Sequence, residues 1–106
     1  MKAAFALIVV VLALVLVTVA SARRPSPATV AFWDRVAACE THGTWSGLGS
    51  TYQGGLGFYR TTWDWWARET GYYGRYPDAG MAPRLVQIEV ADYGYRHYGN
   101  GWGCIR

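Results

Sequence analysis

The two cysteines of this 106-residue chain, Cys39 and Cys104, constrain its fold more than any other feature. They enclose most of the chain beyond the N-terminal segment, and a domain this small has a core that usually needs an additional cross-link. In an exported chain, two cysteines predict one disulfide. In the chain-entropy description, a loop of this length stabilises the fold by roughly 4 kcal/mol. A metal site or a free thiol is the less favoured alternative, because His42 and His97 have no metal-ligand spacing, and we expect neither metal nor cofactor.

The N-terminal segment predicts export. Residues 3–20 are apolar apart from Thr18, Lys2 precedes them, and the Ala-Ser-Ala at residues 20–22 matches a cleavage pattern. We therefore predict a signal peptide over residues 1–22. The alternative is an uncleaved anchor, because about 18 apolar residues can cross a bilayer once. Either way we expect a secreted or cell-wall domain, in contact with the membrane only if the segment is retained.

The charge of the chain excludes one class of partner. Ten Lys and Arg residues stand against seven Asp and Glu residues, with no run of like charges outside the Arg pair at residues 23–24. Nucleic-acid binding proteins show a basic stripe or an Arg-rich tract, so we expect no nucleic-acid partner. The mild positive balance is compatible with an anionic polymer.

Capping and turn residues divide the domain into about three helices. Ser26 followed by Pro27 is typical of a helix start, and this first helix should run to about Cys39. A second helix, capped by Thr61 or Thr62 and with Asp64 in its first turn, should end before Gly71. The third should begin at Pro83, end near Gly99 and present a stripe of Leu85, Ile88, Asp92 and Tyr95.

Between the first two helices, residues 44–58 are rich in glycine and aromatic residues and predict a loop or a short hairpin. The fold class is therefore mainly α, α+β at most, closed by one disulfide. Residues 23–31 form a short linker and helix start, and residues 32–106 form the domain proper.

Glu40 is the acid best placed for chemistry. It lies at the predicted end of the first helix, where the negative end of the macrodipole raises the cost of ionising an acid. It also falls on or beside the apolar stripe of Phe32, Trp33, Val36 and Ala37. A carboxyl that keeps its proton among aromatic rings is what general-acid cleavage of a sugar bond requires.

An ordered series of motifs then resembles the resuscitation-promoting-factor, or transglycosylase-like, domain family. The motifs are Trp33-Asp34-Arg35-Val36-Ala37-x-Cys39-Glu40, Gly43-x-Trp45, Gly54-Gly55-Leu56-x-Phe58, Thr62-Trp63, Ala82-Pro83, Gln87-Ile88-x-Val90-Ala91, Gly101-Trp102 and Cys104. They cover residues 32–104, and their order is more specific than any one of them.

The resemblance implies a small lysozyme-like fold that cleaves the β-1,4 bond between N-acetylmuramic acid and N-acetylglucosamine in peptidoglycan. It implies that Glu40 is the catalytic residue and that Cys39 pairs with Cys104. Thr62 and Gln87 would line the sugar groove. The partner is then the glycan strand, and we expect a monomer.

Several positions depart from the family pattern. Thr41 and His42 stand where the family usually has Ser and Gly, Gly57 replaces a groove Gln, and Tyr59 stands where some members have Asp. An alternative function is therefore a catalytically weak or inactive glycan-binding, cell-envelope or virion module of the same fold.

The aromatic residues and the other acids complete the candidate site. Trp45, Tyr52 and Trp102 lie among glycines and are candidate sugar-binding residues, whereas Phe32, Trp33, Phe58 and Trp63 are expected in the core. Six further acids are expected at the surface: Asp34, Asp64, Glu69, Asp78, Glu89 and Asp92. A lone Glu fits a lytic transglycosylase, in which the sugar's own 6-hydroxyl closes an anhydro ring, although attack by water would give hydrolysis instead.

Overall fold

The computed structural model describes residues 24–105. The predicted signal peptide or anchor lies outside them, and no helix in the described part is long and apolar enough to cross a membrane. The elements, in chain order, are α1 (Pro27–Thr41), β1 (Tyr52–Gln53), β2 (Phe58–Tyr59), α2 (Arg60–Thr70), a 3₁₀ turn (Ala79–Met81) and α3 (Arg84–Tyr98). The prediction of a mainly helical fold with three helices and a short hairpin is confirmed.

Helix α1 begins as predicted. The Ser26 hydroxyl accepts a hydrogen bond from the Thr29 backbone N–H at 3.1 Å, and Pro27 occupies the first helical position. The helix ends at Thr41, two residues later than predicted. His42 follows in the left-handed conformation, with φ of 56°, and its N–H donates to the Ala37 carbonyl.

The hairpin pairs Tyr52 with Tyr59 and Gln53 with Phe58 in antiparallel register. Its turn lies against Trp45: a Cβ placed on Gly55 would be 2.4 Å from the Trp45 ring. Only glycine allows this approach, so the turn and the indole are fixed against each other.

Helix α2 differs from the prediction at its start. Strand β2 runs directly into the helix, and Tyr59 takes the cap position without a side-chain hydrogen bond. Thr61 and Thr62 therefore lie inside the first turn, and the prediction that one of them caps the helix is wrong. Asp64 lies beyond the first turn, so its predicted place is wrong too. The predicted end is confirmed, because Gly71 closes the helix with φ of 85°.

Helix α3 begins after Pro83 and ends at Gly99, as predicted. Its buried face matches the predicted stripe only in part: Ile88 is buried and Tyr95 packs against the core, but Leu85 is exposed, and the buried residues are Gln87, Ile88, Val90, Ala91 and Gly94. The difference arises because α3 packs against both α1 and α2. At the α2 contact, a Cβ on Gly94 would lie 2.0 Å from the Trp66 ring.

Aromatic rings fill much of the core. Trp33, Phe58 and Trp63 are fully or almost fully buried, as expected from the sequence, and Phe32 is partly buried beside them. Phe58 lies edge-on to Trp63, with ring centroids 5.1 Å apart. The predicted disulfide between Cys39 and Cys104 is confirmed, and it joins the C-terminal segment to the end of α1.

Candidate active site

Glu40 lies in the last turn of α1 and is half-buried. Its Oε1 atom accepts a hydrogen bond from the Cys104 backbone N–H at 3.0 Å. Oε2 accepts no hydrogen bond from the rest of residues 24–105. One carboxylate oxygen is therefore held by the protein backbone, and the other has no partner in the described part of the chain.

The residue after Glu40 attaches the helix end to the hairpin. The Thr41 hydroxyl donates to the Gly55 carbonyl at 2.6 Å. On the same side, the Thr41 methyl carbon lies 3.6 Å from the point where a Gly57 Cβ would stand. The hairpin turn is thus fixed directly beside the candidate catalytic residue.

Two cavities adjoin this hairpin and share Tyr52 and Gly57 in their walls. The smaller, of about 210 Å³, is also lined by Thr41. The larger, of about 580 Å³, lies between the hairpin, α2 and the segment that follows α3. Glu40 itself lines neither of these two cavities, although the next residue, Thr41, lines the smaller one.

Three of the sequence-predicted binding residues meet at the larger cavity. Tyr52, Thr62 and Trp102 all line it. Tyr52 is mostly exposed, whereas Trp102 is almost buried and its indole N–H donates to the Leu56 carbonyl at 2.8 Å. Trp102 therefore belongs both to the core and to the cavity wall.

The other two predicted binding residues lie behind the hairpin. Gln87 is fully buried, and its Nε2 donates to the Trp45 and Ala82 carbonyls, each at 2.9 Å. Its Oε1 accepts from the Gly55 N–H at 2.9 Å. All polar contacts of this amide are with backbone groups, so Gln87 and Trp45 hold the hairpin in position and line neither cavity.

The sequence reasoning missed several residues at the larger cavity, among them Trp65 and Tyr98. Trp65 and Tyr98 line it, and about half of each side chain is exposed. A signal existed for Trp65: on a helix, it is rotated by roughly 200° from Trp63. If Trp63 is buried, Trp65 must face outward. Tyr98 is the last residue of α3, and nothing local in the sequence indicates its exposure.

The Glu69 carboxylate holds Tyr98 in position through the tyrosine hydroxyl. Glu69 accepts hydrogen bonds from the hydroxyls of Tyr98 and Tyr93, the latter at 2.8 Å. The hydrogen bond from Tyr98 is the main cause that lowers the pKa of Glu69 below its ordinary value, and the one from Tyr93 adds to it. The same bonds raise the pKa of Tyr93, and raise that of Tyr98 to about 12.

Most of the remaining acids have structural partners. Asp34 pairs with Arg84, Asp92 accepts from the Trp33 indole and from Arg96, Asp78 caps the 3₁₀ turn, and Glu89 accepts from Tyr72. None of these acids lines either cavity beside the hairpin. In the part of the chain that the structure describes, no cluster of three or more His, Cys, Asp or Glu side chains is arranged to hold a metal ion.

Comparison with known proteins gives a family match and several relatives. A family model described as the transglycosylase-like domain matches residues 27–104. Resuscitation-promoting factor RpfA of Mycobacterium tuberculosis (strain H37Rv) is 40% identical over 75 residues, which are 70% of this chain and 17% of that protein. Resuscitation-promoting factor Rpf1 of Corynebacterium glutamicum is 39% identical over 74 residues, 68% of this chain and 35% of that protein. Resuscitation-promoting factor RpfE of M. tuberculosis is 39% identical over 82 residues, 74% of this chain and 44% of that protein.

The matched region corresponds closely to the folded part. It begins at Pro27, the first residue of α1, and ends at Cys104, so it contains Glu40 and the whole hairpin. The chain spans less than half the length of each of these three curated relatives.

Proposed function

Because the chain belongs to the transglycosylase-like domain family, we propose that it cleaves the glycan strand of peptidoglycan, with Glu40 as general acid and base. The bond is the β-1,4 linkage between N-acetylmuramic acid and N-acetylglucosamine. The observation that carries the proposal is the environment of Glu40: Oε1 accepts from the Cys104 N–H, Oε2 has no hydrogen-bond partner within residues 24–105, and the next residue, Thr41, is bonded to the hairpin.

The reaction needs two proton transfers at one carboxyl group. Protonated Glu40 donates its proton to the glycosidic oxygen as the bond from that oxygen to the anomeric carbon breaks, which leaves an oxocarbenium-like sugar. The Glu40 carboxylate then accepts a proton from the attacking hydroxyl. If that hydroxyl is the 6-hydroxyl of the same sugar, an anhydro ring closes; if it belongs to water, the product is a reducing end.

A single carboxylate favours the anhydro route. Glycosidases of the two-carboxylate type need a second acid about 5–9.5 Å from the first. Most other acids of the described part already pair with Arg, Tyr, Trp or backbone groups. An intramolecular hydroxyl needs no second carboxylate to hold water, so we propose lytic transglycosylase chemistry.

The sugar contacts follow from the cavity walls. Tyr52 and Trp102 offer aromatic faces that pack on the C–H faces of sugar rings, and Thr62 offers a hydroxyl. We assign Trp45 and Gln87 a positioning role, because their contacts fix the hairpin that carries Tyr52.

The test is digestion of insoluble peptidoglycan by the purified protein. We expect wild-type protein to release soluble muropeptides, and Glu40→Gln to lower their rate of release by about a hundredfold or more. Glu89→Gln removes the same charge away from both cavities and should leave release unchanged. Mass spectrometry of the products distinguishes anhydro from reducing ends. If the wild type releases nothing, or Glu40→Gln releases as much, the enzymatic proposal is wrong.

A glycan-binding module without catalysis is the second candidate. Gly57 favours it, because the residue that usually carries a groove amide in the family has no side chain here. In that case the protein would sediment with insoluble peptidoglycan without releasing fragments, and Glu40→Gln would sediment equally well.

We also propose that the protein acts outside the cell membrane after removal of residues 1–22. The support is the sequence pattern of that segment. N-terminal sequencing of the exported protein should begin at Arg23. A protein that retains Met1 and stays in the membrane fraction would establish the anchored alternative.

A further inference from the structure

Trp65 and Tyr98 form an aromatic pair at the larger cavity. Their ring centroids are 4.4 Å apart, with 45° between the planes, and the two residues are 50% and 47% exposed. Both belong to the cavity wall. Exposed rings of this size are costly to leave in water and carry large contact energies when covered.

The protein holds this pair in one arrangement. The Tyr98 hydroxyl is bound by the Glu69 carboxylate, and the Trp65 side chain also favours the ionised form of Glu69. Behind the pair, the Trp66 ring lies almost parallel to that of Tyr98, at 12°. The two exposed rings are thus preorganised, which lowers the entropic cost of binding a ligand against them.

The rest of the wall selects the chemistry of the ligand. No residue that lines the cavity carries a charge, and the hydroxyls of Tyr59 and Thr62 lie in the same wall as the rings. An anionic group, such as a peptide carboxylate or a phosphate, would find no cation there. A pyranose fits both properties of the wall, because it has an apolar C–H face and a rim of hydroxyls. The cavity volume of about 580 Å³ lies within the usual range for small-ligand sites.

We propose that the pair of Trp65 and Tyr98 is a sugar subsite that binds a neutral N-acetylhexosamine ring of the glycan strand. Glu69 acts as a positioning residue that fixes Tyr98. The choice of polymer rests on the proposed function, but binding at this subsite does not depend on cleavage.

The test measures binding of chitotetraose, a neutral oligomer of N-acetylglucosamine, to the full chain carrying Glu40→Gln. Calorimetric titration in this background separates binding from cleavage. We expect Trp65→Ala to weaken binding by roughly three- to tenfold, the usual contribution of one aromatic stack. Trp65→Phe, which keeps an aromatic face, should recover part of the affinity. Leu85→Ala removes an equally exposed apolar side chain of α3 outside the cavity and should have no effect.

Glu69→Gln tests the positioning role. It should weaken binding less than Trp65→Ala and should return the ionisation of Tyr98 to the ordinary tyrosine range. Circular dichroism of each variant confirms that it is folded. The inference is overturned if chitotetraose does not bind, or if Trp65→Ala binds as tightly as Leu85→Ala. If binding depends on Trp65 but the wild type cleaves no peptidoglycan, only the enzymatic proposal fails.

Discussion

The Glu40 carboxylate and the Cys104 backbone N–H are hydrogen bonded across 3.0 Å, although 64 residues separate them in the chain. The disulfide explains how they meet, because Cys104 is bonded to Cys39, the residue that precedes Glu40. The cross-link therefore stabilises the domain and, at the same time, brings the donor to the candidate catalytic carboxylate.

Removal of the disulfide should affect both properties. For Cys39→Ser/Cys104→Ser we expect the free energy of unfolding to fall by up to about 4 kcal/mol, because the unfolded chain regains the entropy of the open loop. Muropeptide release should fall further than the unfolded fraction explains, since the Cys104 N–H is no longer tethered beside Glu40. Urea unfolding and release assays, both at a temperature where the variant is folded, separate the two effects.

Treatment with a reductant is the matched control. It should reproduce the loss in the wild type and have no effect on the double variant. If reduced wild-type protein that is still folded releases fragments at the full rate, the disulfide does not position Glu40.

Gly57→Gln restores the side chain that the family usually has at this position. The nearest atom to a Cβ there is the Thr41 methyl carbon at 3.6 Å, so the side chain has room. The backbone has φ of +61°, however, and a residue with a Cβ should cost about 1–2 kcal/mol of stability. We expect faster muropeptide release together with a lower melting temperature.

Gly57→Ala is the control for backbone strain, because it carries the same φ penalty without the amide. It should lose stability without gaining activity. Equal activities of the Gln and Ala variants would show that the amide makes no contribution.

His42 occupies a position that the family usually gives to Gly, and its φ is +56°. For His42→Gly we expect a gain of about 1 kcal/mol in the free energy of unfolding, since the left-handed conformation costs a residue with a Cβ about that much. The next residue, Gly43, has φ of +77°, and Gly43→Ala should destabilise by a similar amount. Urea denaturation measures both changes: the free energy of unfolding should rise for His42→Gly and fall for Gly43→Ala.

The hydrogen bond between Tyr98 and Glu69 should make the stability of the fold depend on pH in two ranges, one acidic and one alkaline. Because the pKa of Glu69 is lowered in the folded protein, chiefly by the Tyr98 hydroxyl, the interaction stabilises the fold above the ordinary carboxyl range and is lost as pH falls through the lowered value. The pKa of Tyr98 is raised from 10.0 to about 12, so its contribution is complete below pH 10 and is lost as pH rises towards 12.

Ultraviolet titration of tyrosinate measures this directly. The wild type should show one tyrosine that ionises near pH 12, and Tyr98→Phe should remove that step. Glu69→Gln should move it back towards pH 10. A late step that persists in Tyr98→Phe would assign it to another tyrosine.

The parts of the fold that the sequence predicts correctly depend on neighbouring residues. Ser26 with Pro27, Gly71 and Gly99 mark helix ends because caps and left-handed closures are local structures. The predicted cap of α2 was wrong because the start of this helix is not determined by neighbouring residues alone. Strand β2 feeds the helix directly, and that connection depends on the pairing of the hairpin.

The candidate site was predictable where a motif or the glycine-rich context of an aromatic residue indicated it, as for Tyr52. Glu40 and Thr62 come from motifs, but Trp65 and Tyr98 lie on different helices and meet only when α2 packs against α3. The buried amide of Gln87 bonds with backbone groups of three separate segments, which no local pattern reveals.

The disulfide between Cys39 and Cys104 also has a consequence in time. A thiol pair is oxidised only after the chain reaches an oxidising compartment. If the chain is exported as we propose, the surroundings of Glu40 are completed only after translocation. A chain that is still inside the producing cell would carry the proposed catalytic carboxylate without its tethered partner, so the maturation of this domain should be linked to its export.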